Sequence, residues 1–223
     1  MSERTKETGK QSKEPDRTRP ALDLTRTVAR EIFTYRTRPW DAIPSISEFI
    51  KEHGHELPYD EYDEISENIW VHVSAYLSPS ARIEPPAIIC GGAKICHFSA
   101  VQSSVIGSFA YVGEHSSVKG SVLFDRSRLL GQNLISSSVL GYDAMLGQGT
   151  SAPDTRLDGR NISFDMPEGI YVTAKSHLGS VICDGVRVGA ACVINPGSVL
   201  DLNSTVYPLT SVSGYLSPYS TIK

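Results

Sequence analysis

The sequence predicts an all-β chain wound as a three-sided parallel β-solenoid, preceded by a short helical segment. Three observations predict it. An aliphatic residue falls on every sixth position at Val71, Leu77, Ile83, Ile89, Ile95 and Val101. A small side chain stands two residues ahead of most of these, at Ala75, Ala81, Ala87, Ala93 and Ser99. The spacing restarts at Ile182, Val188, Ile194, Leu200, Val206 and Val212, with Ser180, Cys192, Ser198, Ser204 and Thr210 as small partners and Val186 as the exception. A period of six matches neither the 3.6 of a helix nor the 2 of a simple strand. It does match a unit of one strand plus one corner, three of which close a coil of roughly 18 residues.

Between the two runs the spacing persists with slips. One slip precedes Ile106, Val112 and Val118, and another precedes Leu123, Leu129 and Ile135, followed by Leu140 and Leu146. Glycine often follows the aliphatic residue (Gly107, Gly113, Gly141, Gly147, Gly189), where it eases the backbone around a corner. Six to seven coils stacked at ~4.8 Å would give a prism roughly 30 Å tall. Residues 148–178 break the period with Pro153, Pro167 and mixed charge, and read as a long loop inserted at one corner.

Ahead of the repeats the pattern differs. Residues 1–20 carry six basic and four acidic side chains and nothing to bury beyond Met1, so 1–22 reads as a solvated, disordered tail. From Asp23, placed as an N-cap, Leu24, Val28, Ile32 and Phe33 recur at helical spacing until Pro39. Pro44 opens a second short helix through Ile46, Phe49 and Ile50 that ends near Gly54. Residues 23–64 are thus expected to cap the end of the solenoid or to grip a neighbouring subunit, with the solenoid itself over 65–223.

Composition excludes several functions. The 223 residues hold 21 basic and 25 acidic side chains, a net charge of −4, which argues against a nucleic-acid groove. No apolar run approaches the ~20 residues of a membrane helix, and no secretory signal is expected. Cys90, Cys96, Cys183 and Cys192 form no CxxC pair and read as structural thiols in a reducing cytoplasm. Among six histidines only His53 and His55 are closely spaced, so no metal site is expected.

The segments Ser138-Val139-Leu140-Gly141-Tyr142 through Gly147-Gln148-Gly149-Thr150, and Ile194-Asn195-Pro196-Gly197-Ser198-Val199 followed by Val206-Tyr207-Pro208-Leu209, resemble the hexapeptide-repeat acyltransferases. The likeness is to the acetyltransferase domain of sugar-1-phosphate nucleotidylyltransferase/acetyltransferases, and it covers about residues 40–223. Pro39-Trp40-Asp41-Ala42-Ile43-Pro44 is similar to the helical entry of stand-alone members. The resemblance implies a left-handed parallel β-helix and a homotrimer with sites between neighbouring prisms. It also implies acetyl-CoA as co-substrate and an amino-sugar phosphate or nucleotide sugar as acceptor. No glycine-rich nucleotide loop is present, so nucleotidyl transfer is not expected.

The catalytic stretch departs from that family. Gly131 stands where the resemblance implies a histidine base, Leu134 where it implies a tyrosine, and Met145 and Asp154 where it implies asparagines. Glycine cannot take a proton from an attacking amine. His177, where the insertion rejoins the repeats beside Lys175, is the candidate replacement base, ahead of His115, His97 and His72. Lys119, Arg126, Arg128 and Arg160 are candidate phosphate ligands, and Asn133 and Asp154 candidate sugar contacts. Two functions follow from these residues: an acyltransferase with a relocated or dispensable base, or a degenerate relative that binds a sugar phosphate or serves as a trimeric scaffold.

Overall fold

In a computed structural model, residues 20–34 and 38–223 are described; the expectation of a disordered tail falls mostly on residues outside that range. The interior aliphatics sort the chain into three flat faces. Face one holds, in spatial order, strands Ile69–His72, Arg82–Ile89 (its second half), Ala100–Ile106 (its end), Val122–Leu123, Val139–Leu140, Val181–Ile182, Val199–Leu200 and Tyr215–Leu216. Face two is an eight-stranded parallel sheet running from Tyr76–Leu77 to Thr221–Ile222. Face three runs from the first half of Arg82–Ile89 through Ser117–Lys119, Leu134–Ser136, Ser151–Ala152 and Val193–Ile194 to Ser211–Val212. Eight strands on face two exceed the six to seven coils expected, because the repeat continues through Leu216 and Ile222 beyond the last regular aliphatic.

Ile89, Ile95, Val101, Ile106, Val112, Val118, Leu123, Leu129, Ile135, Leu140 and Leu146 are all buried, as are Ile182 through Val212 in the second run. The slips have one location. Each falls between faces three and one, where Val101–Ile106, Val118–Leu123 and Ile135–Leu140 turn a shorter corner. A fully buried serine ladder stitches that corner. Ser121 and Ser138 donate their amides to the hydroxyls of Ser104 and Ser121, at 3.1 and 3.0 Å, and Ser180 donates its amide to Ser138 Oγ at 3.0 Å. The long insertion leaves from this third corner as well. It starts later than 148, because Ser151–Ala152 still pairs with Leu134–Ser136 and Val193–Ile194, and Ala152 fills the interior position that a larger aliphatic takes elsewhere. The excursion therefore runs from 153 to 179 and contains an antiparallel hairpin, Ser163–Met166 against Gly169–Val172. Its return is held tight at Gly179, where an added Cβ would come within 2.2 Å of Ser136 O.

The first part of the N-terminal segment lies along the side of the prism. Asp23 caps a 3-10 turn, Leu24–Arg26, by accepting from Thr25 N at 3.0 Å. The chain then extends at Thr27, whose Oγ1 accepts from Ala29 N, and resumes as a short helix α1, Arg30–Thr34. The single helix expected from Asp23 is broken because this stretch is tied to the first corner, between faces one and two. Ala21 N donates to Asp201 Oδ1 at 3.1 Å, Asp23 N to Asp184 Oδ2 at 2.6 Å, and Asp125 N to Arg26 O at 2.9 Å. It is a strap laid lengthwise across successive coils. The second helix, α2 (Ile46–His53), is capped near Gly54 as expected and packs on the early strands of face one. At the first coil the edge is covered by Tyr62–Ser66, which begins within the 23–64 segment and pairs antiparallel to Ile69–His72.

Face one is thereby buried on both sides. Its outward residues Ile88, Val105, Val122, Val139, Val181 and Val199 are fully buried. They lie beneath α2, the 3-10 turn Pro39–Ser45 and the hairpin of the excursion, whose Phe164 and Met166 are buried too. Trp40 joins these covers, its ring stacked on Phe164 at 4.1 Å between centroids. Arg38 adds a guanidinium 3.7 Å above the Tyr171 ring.

Candidate functional site

The three corners separate the residues expected to act together. His177, Asp154 and Lys119 lie at the third corner. Gly131 and Asn133 lie at the second, between faces two and three, and Arg126 and Arg128 lie at or beside the first. Arg160 sits on the excursion, 82% exposed, with its amide on Asp158 Oδ1 and its side chain 3.9 Å from the same carboxylate.

At the third corner a connected chain of polar groups forms. Ser137 Oγ donates to Asp154 Oδ2 at 2.8 Å, and Thr155 Oγ1 donates to Asp154 Oδ1 at 3.0 Å. His177 Nδ1 lies 3.2 Å from Thr155 Oγ1 and 3.9 Å from Asp154 Oδ1. Since the threonine hydroxyl gives its proton to the carboxylate, its oxygen accepts from Nδ1–H; this tautomer is assigned from the network. Nε2 is then left with its lone pair on a ring that is 70% exposed. Lys119 stands one coil from Ser137, whose amide donates to its carbonyl, and two coils from Asp154. Thr155 also lines a cleft of about 920 Å³ beneath the excursion, with Arg156, Asp158 and Asp165 on one wall and Asn195, Gly197 and Ser213 on the other. His177 stands behind Thr155 and does not line that cleft. Arg156 grips Asp158 at 2.9 and 2.7 Å and holds its carboxyl well below the usual range.

The second corner corrects the reading of Asn133 as a sugar contact. Its side chain is buried: Oδ1 accepts from Gly131 N at 2.9 Å, and Nδ2 donates to Gly147 O at 2.8 Å and Thr150 O at 3.2 Å. Both amide hydrogens are engaged. It is one rung of a polar ladder with Ser99, Ser116 and Thr150, each two residues ahead of an interior position. Gly131 has φ +121°, and an added Cβ would lie 3.2 Å from Glu114 O. Glycine there satisfies the backbone, so the position is more than a histidine with its side chain removed.

The other histidines are engaged elsewhere. His97 Nδ1 meets Ser78 and Ser80 hydroxyls at 2.7 and 3.0 Å, His115 stacks on Phe98, and His72 Nδ1 meets Ser74. His53 Nε2 lies 2.7 Å from Glu31, tying α2 to α1. Cys90, Cys183 and Cys192 are buried and unpaired, and burial pushes the Cys90 thiol up to about 12. Among the described residues no three His, Cys, Asp or Glu side chains converge as metal ligands, and no helix is long and apolar enough to cross a membrane.

Sequence reasoning missed Thr155 and Ser137, which orient His177 through Asp154. It also missed Asp143 and Arg187, which join Arg128 on face two, Arg187 hydrogen-bonding both the carboxylate and the carbonyl of Asp143. The signal for the second group was present. Arg128, Met145 and Arg187 each precede an interior aliphatic of face two, so the period stacks them.

No family model matches the chain. Over 140 residues it is 25% identical to the uncharacterized acetyltransferase YaiX of Escherichia coli O6:K15:H31, covering 54% of this chain and 61% of that protein. Over 104 residues it is 25% identical to the bifunctional protein GlmU of Methanococcus vannielii, covering 47% of this chain and 25% of that one. The match therefore spans less than two thirds of either relative. Among solved structures, AntD, an N-acyltransferase from Bacillus cereus in complex with dTDP and 3-hydroxybutyryl-CoA, aligns at a TM-score of 0.43 and 15% identity, over 75% of this chain and 81% of that one. The acetyltransferase domain of PglB from Neisseria gonorrhoeae in complex with acetyl coenzyme A aligns at 0.31 and 18%, over 58% and 52%. In sequence and in solenoid architecture the chain is similar to the hexapeptide-repeat acyltransferases.

Proposed function

We propose that this protein is an acyl-CoA-dependent N-acyltransferase acting on an amino-sugar phosphate or nucleotide sugar, with His177 as its base. The observation that carries the reading is the hydrogen-bonded chain Asp154–Thr155–His177, of which Thr155 lines the large cleft. The sequence match to YaiX, a protein named as an acetyltransferase, supports the reaction class.

The chemistry asked of the site is modest. The acceptor amine attacks the thioester carbonyl, forming a C–N bond as the carbonyl oxygen becomes an oxyanion. His177 Nε2 takes the ammonium proton, and the tetrahedral adduct collapses by breaking C–S. The proton then passes to the leaving thiolate. Asp154, acting through Thr155, positions the imidazole and favours the Nδ1–H tautomer. Lys119 stands two coils from Asp154 on the same corner, as the side chain for a substrate phosphate. In a single chain the three corners face three directions, so residues from different corners meet in one site only across a subunit boundary. A homotrimer with sites between prisms satisfies that condition, and light scattering at assay concentration should give three times the monomer mass.

One observation favours a second reading, a degenerate sugar-phosphate binder or scaffold: Gly131, at the position of the family's base, carries no titratable group. Release of free thiol from acetyl-CoA with a panel of amino-sugar phosphates and nucleotide amino sugars decides between them. Turnover in the native protein that His177→Ala reduces supports the transferase. Sugar-phosphate binding without turnover supports the alternative.

A further inference from the structure

A second cleft lies between the 3-10 turn Pro39–Ser45 and residues 173–178, the limb by which the excursion returns to the solenoid. It shares no residue with the cleft lined by Thr155. Its volume of about 490 Å³ falls within the usual range for small-ligand sites, and Arg38, Asp41, Tyr171, Lys175 and Leu178 are among its walls. The charge in it is uncompensated. Arg38 is half-buried, its guanidinium 3.7 Å above the Tyr171 ring, and its side chain makes no ion pair or hydrogen bond among the described residues. Stacking uses the flat face of the guanidinium and leaves its N–H edge for a planar acceptor. The Lys175 ammonium is likewise unpaired, while its backbone is fixed. Its carbonyl accepts from Ile162 N at 2.8 Å, and its amide donates to Thr173 Oγ1 at 3.3 Å. Asp41 is the one carboxylate among the described lining residues, and no ion pair ties it to either cation. On a chain of net −4 the cleft thus sets two cations against one anion.

The two cations belong to different elements. Arg38 leads into the turn that covers face one, and Lys175 stands on the returning limb. A ligand with one anionic group engages one wall, whereas a ligand with two joins them. Two carboxylates suit the pair: the guanidinium edge meets a planar carboxylate in a paired fork, and the ammonium takes the other as a point charge. Pro44 and Val172 supply apolar wall for a short hydrocarbon spacer. The cleft is also coupled to His177. Leu178 lines it and donates its amide to Asp154 O at 2.9 Å, so Lys175 and Leu178 bracket the imidazole in the chain. A ligand that holds Lys175 to Arg38 therefore holds the limb on which His177 stands.

We propose that this cleft is an effector site for a small dicarboxylate, with Arg38 on one carboxylate and Lys175 on the other, and that the bound ligand clamps the limb carrying His177. Binding stands without the transferase reading; its effect on turnover rests on that reading. Isothermal titration of the full chain with succinate, acetate and inorganic phosphate is the first test. Succinate should bind at least about tenfold tighter than acetate, because its second carboxylate adds a charge-assisted contact, and its affinity should fall with added salt. Lys175→Ala should erase the difference between succinate and acetate. Arg38→Lys keeps the charge over Tyr171 but loses the paired fork, and should weaken succinate at least about tenfold. Melting curves check that both variants fold, and Lys175→Gln serves where Lys175→Ala does not. Hydrogen exchange across residues 173–178 should slow on adding succinate to native protein and stay unchanged in Lys175→Ala. In the thiol-release assay, saturating succinate should raise kcat of native protein and leave that of Lys175→Ala as it was. Titration and exchange need no turnover, so a protein silent in that assay fails the transferase reading and leaves this site standing. Absence of succinate binding up to millimolar concentration overturns the proposal. Equal affinities for succinate and acetate, or tighter binding of inorganic phosphate than of succinate, also overturn it. Binding that leaves exchange across 173–178 unaltered overturns the clamp.

Discussion

His177, Asn133 and Gly131 show how differently three neighbours in the same repeat scheme can be used. If His177 is the base, His177→Ala should lower the rate of thiol release by about 10²–10⁴-fold while leaving the melting temperature nearly unchanged, because the ring is largely exposed. Asn133→Ala should do the reverse. It strands Gly131 N in a buried corner, while Gly147 O and Thr150 O keep the amides of Thr150 and Leu134, and at ~1–3 kcal/mol for a buried unsatisfied group it should lower unfolding stability by about 1–3 kcal/mol. Its KM should stay close to native once the folded fraction is counted; a raised KM at native stability would return Asn133 to the substrate. Gly131→His should destabilise without creating a base, because φ +121° disfavours any side chain. At this scale the sequence was only partly legible. Residue type marked His177 and Asn133 alike as polar candidates. The six-residue register alone, which puts Asn133 in line with Ser116 and Thr150, separates a corner rung from an exposed group.

Among elements, the strap and the hairpin carry the consequences that periodicity did not announce. The hairpin and the 3-10 turn Pro39–Ser45 both cover face one, and Trp40 is where they meet, while the strap lies across the first corner. Trp40→Ala should remove about 3–5 kcal/mol, the usual range for emptying a buried aromatic site, and hydrogen exchange should rise in the hairpin before the solenoid. The strap is fastened by carboxylates on the first corner. Burial raises Asp184 to about 6, with the nearby Asp23 adding to the rise and hydrogen bonds from Asp23 N and Tyr142 N opposing it. Its folded value is above its unfolded one, so the folded state holds the extra proton between them. Stability from this group is complete below the unfolded value near 4 and declines as pH rises through about 6. Asp125 is shifted in the same direction, also by burial. Asp184→Asn should flatten that slope between pH 4 and 6 in denaturant titrations; an unaltered slope would show that the strap is fastened otherwise. A sequence signal for the covered face existed. Ile88, Val105, Val122, Val139, Val181 and Val199 are apolar, whereas the matching face-two positions Lys94, Arg128 and Arg187 are charged, so face one alone asks for a cover.

For the whole molecule, the solenoid was legible because one interior position repeats without a polar exception, and a rigid stack multiplies that constraint coil after coil. The site was not, because a solenoid spreads sequence neighbours around three corners. Residues as close in sequence as Arg128 and Asn133 end on different sides of the prism, while Ser137 and His177, far apart in sequence, share one network. Function is therefore set by which corner a residue occupies and by what meets that corner in the assembly. The most direct test is thiol release from acetyl-CoA by native protein and by His177→Ala, across amino-sugar phosphates and nucleotide amino sugars. Turnover with at least one acceptor, cut by two or more orders of magnitude in the variant, is the predicted result. Turnover untouched by His177→Ala would contradict the relocated base, and silence across the panel in native protein would contradict the transferase itself.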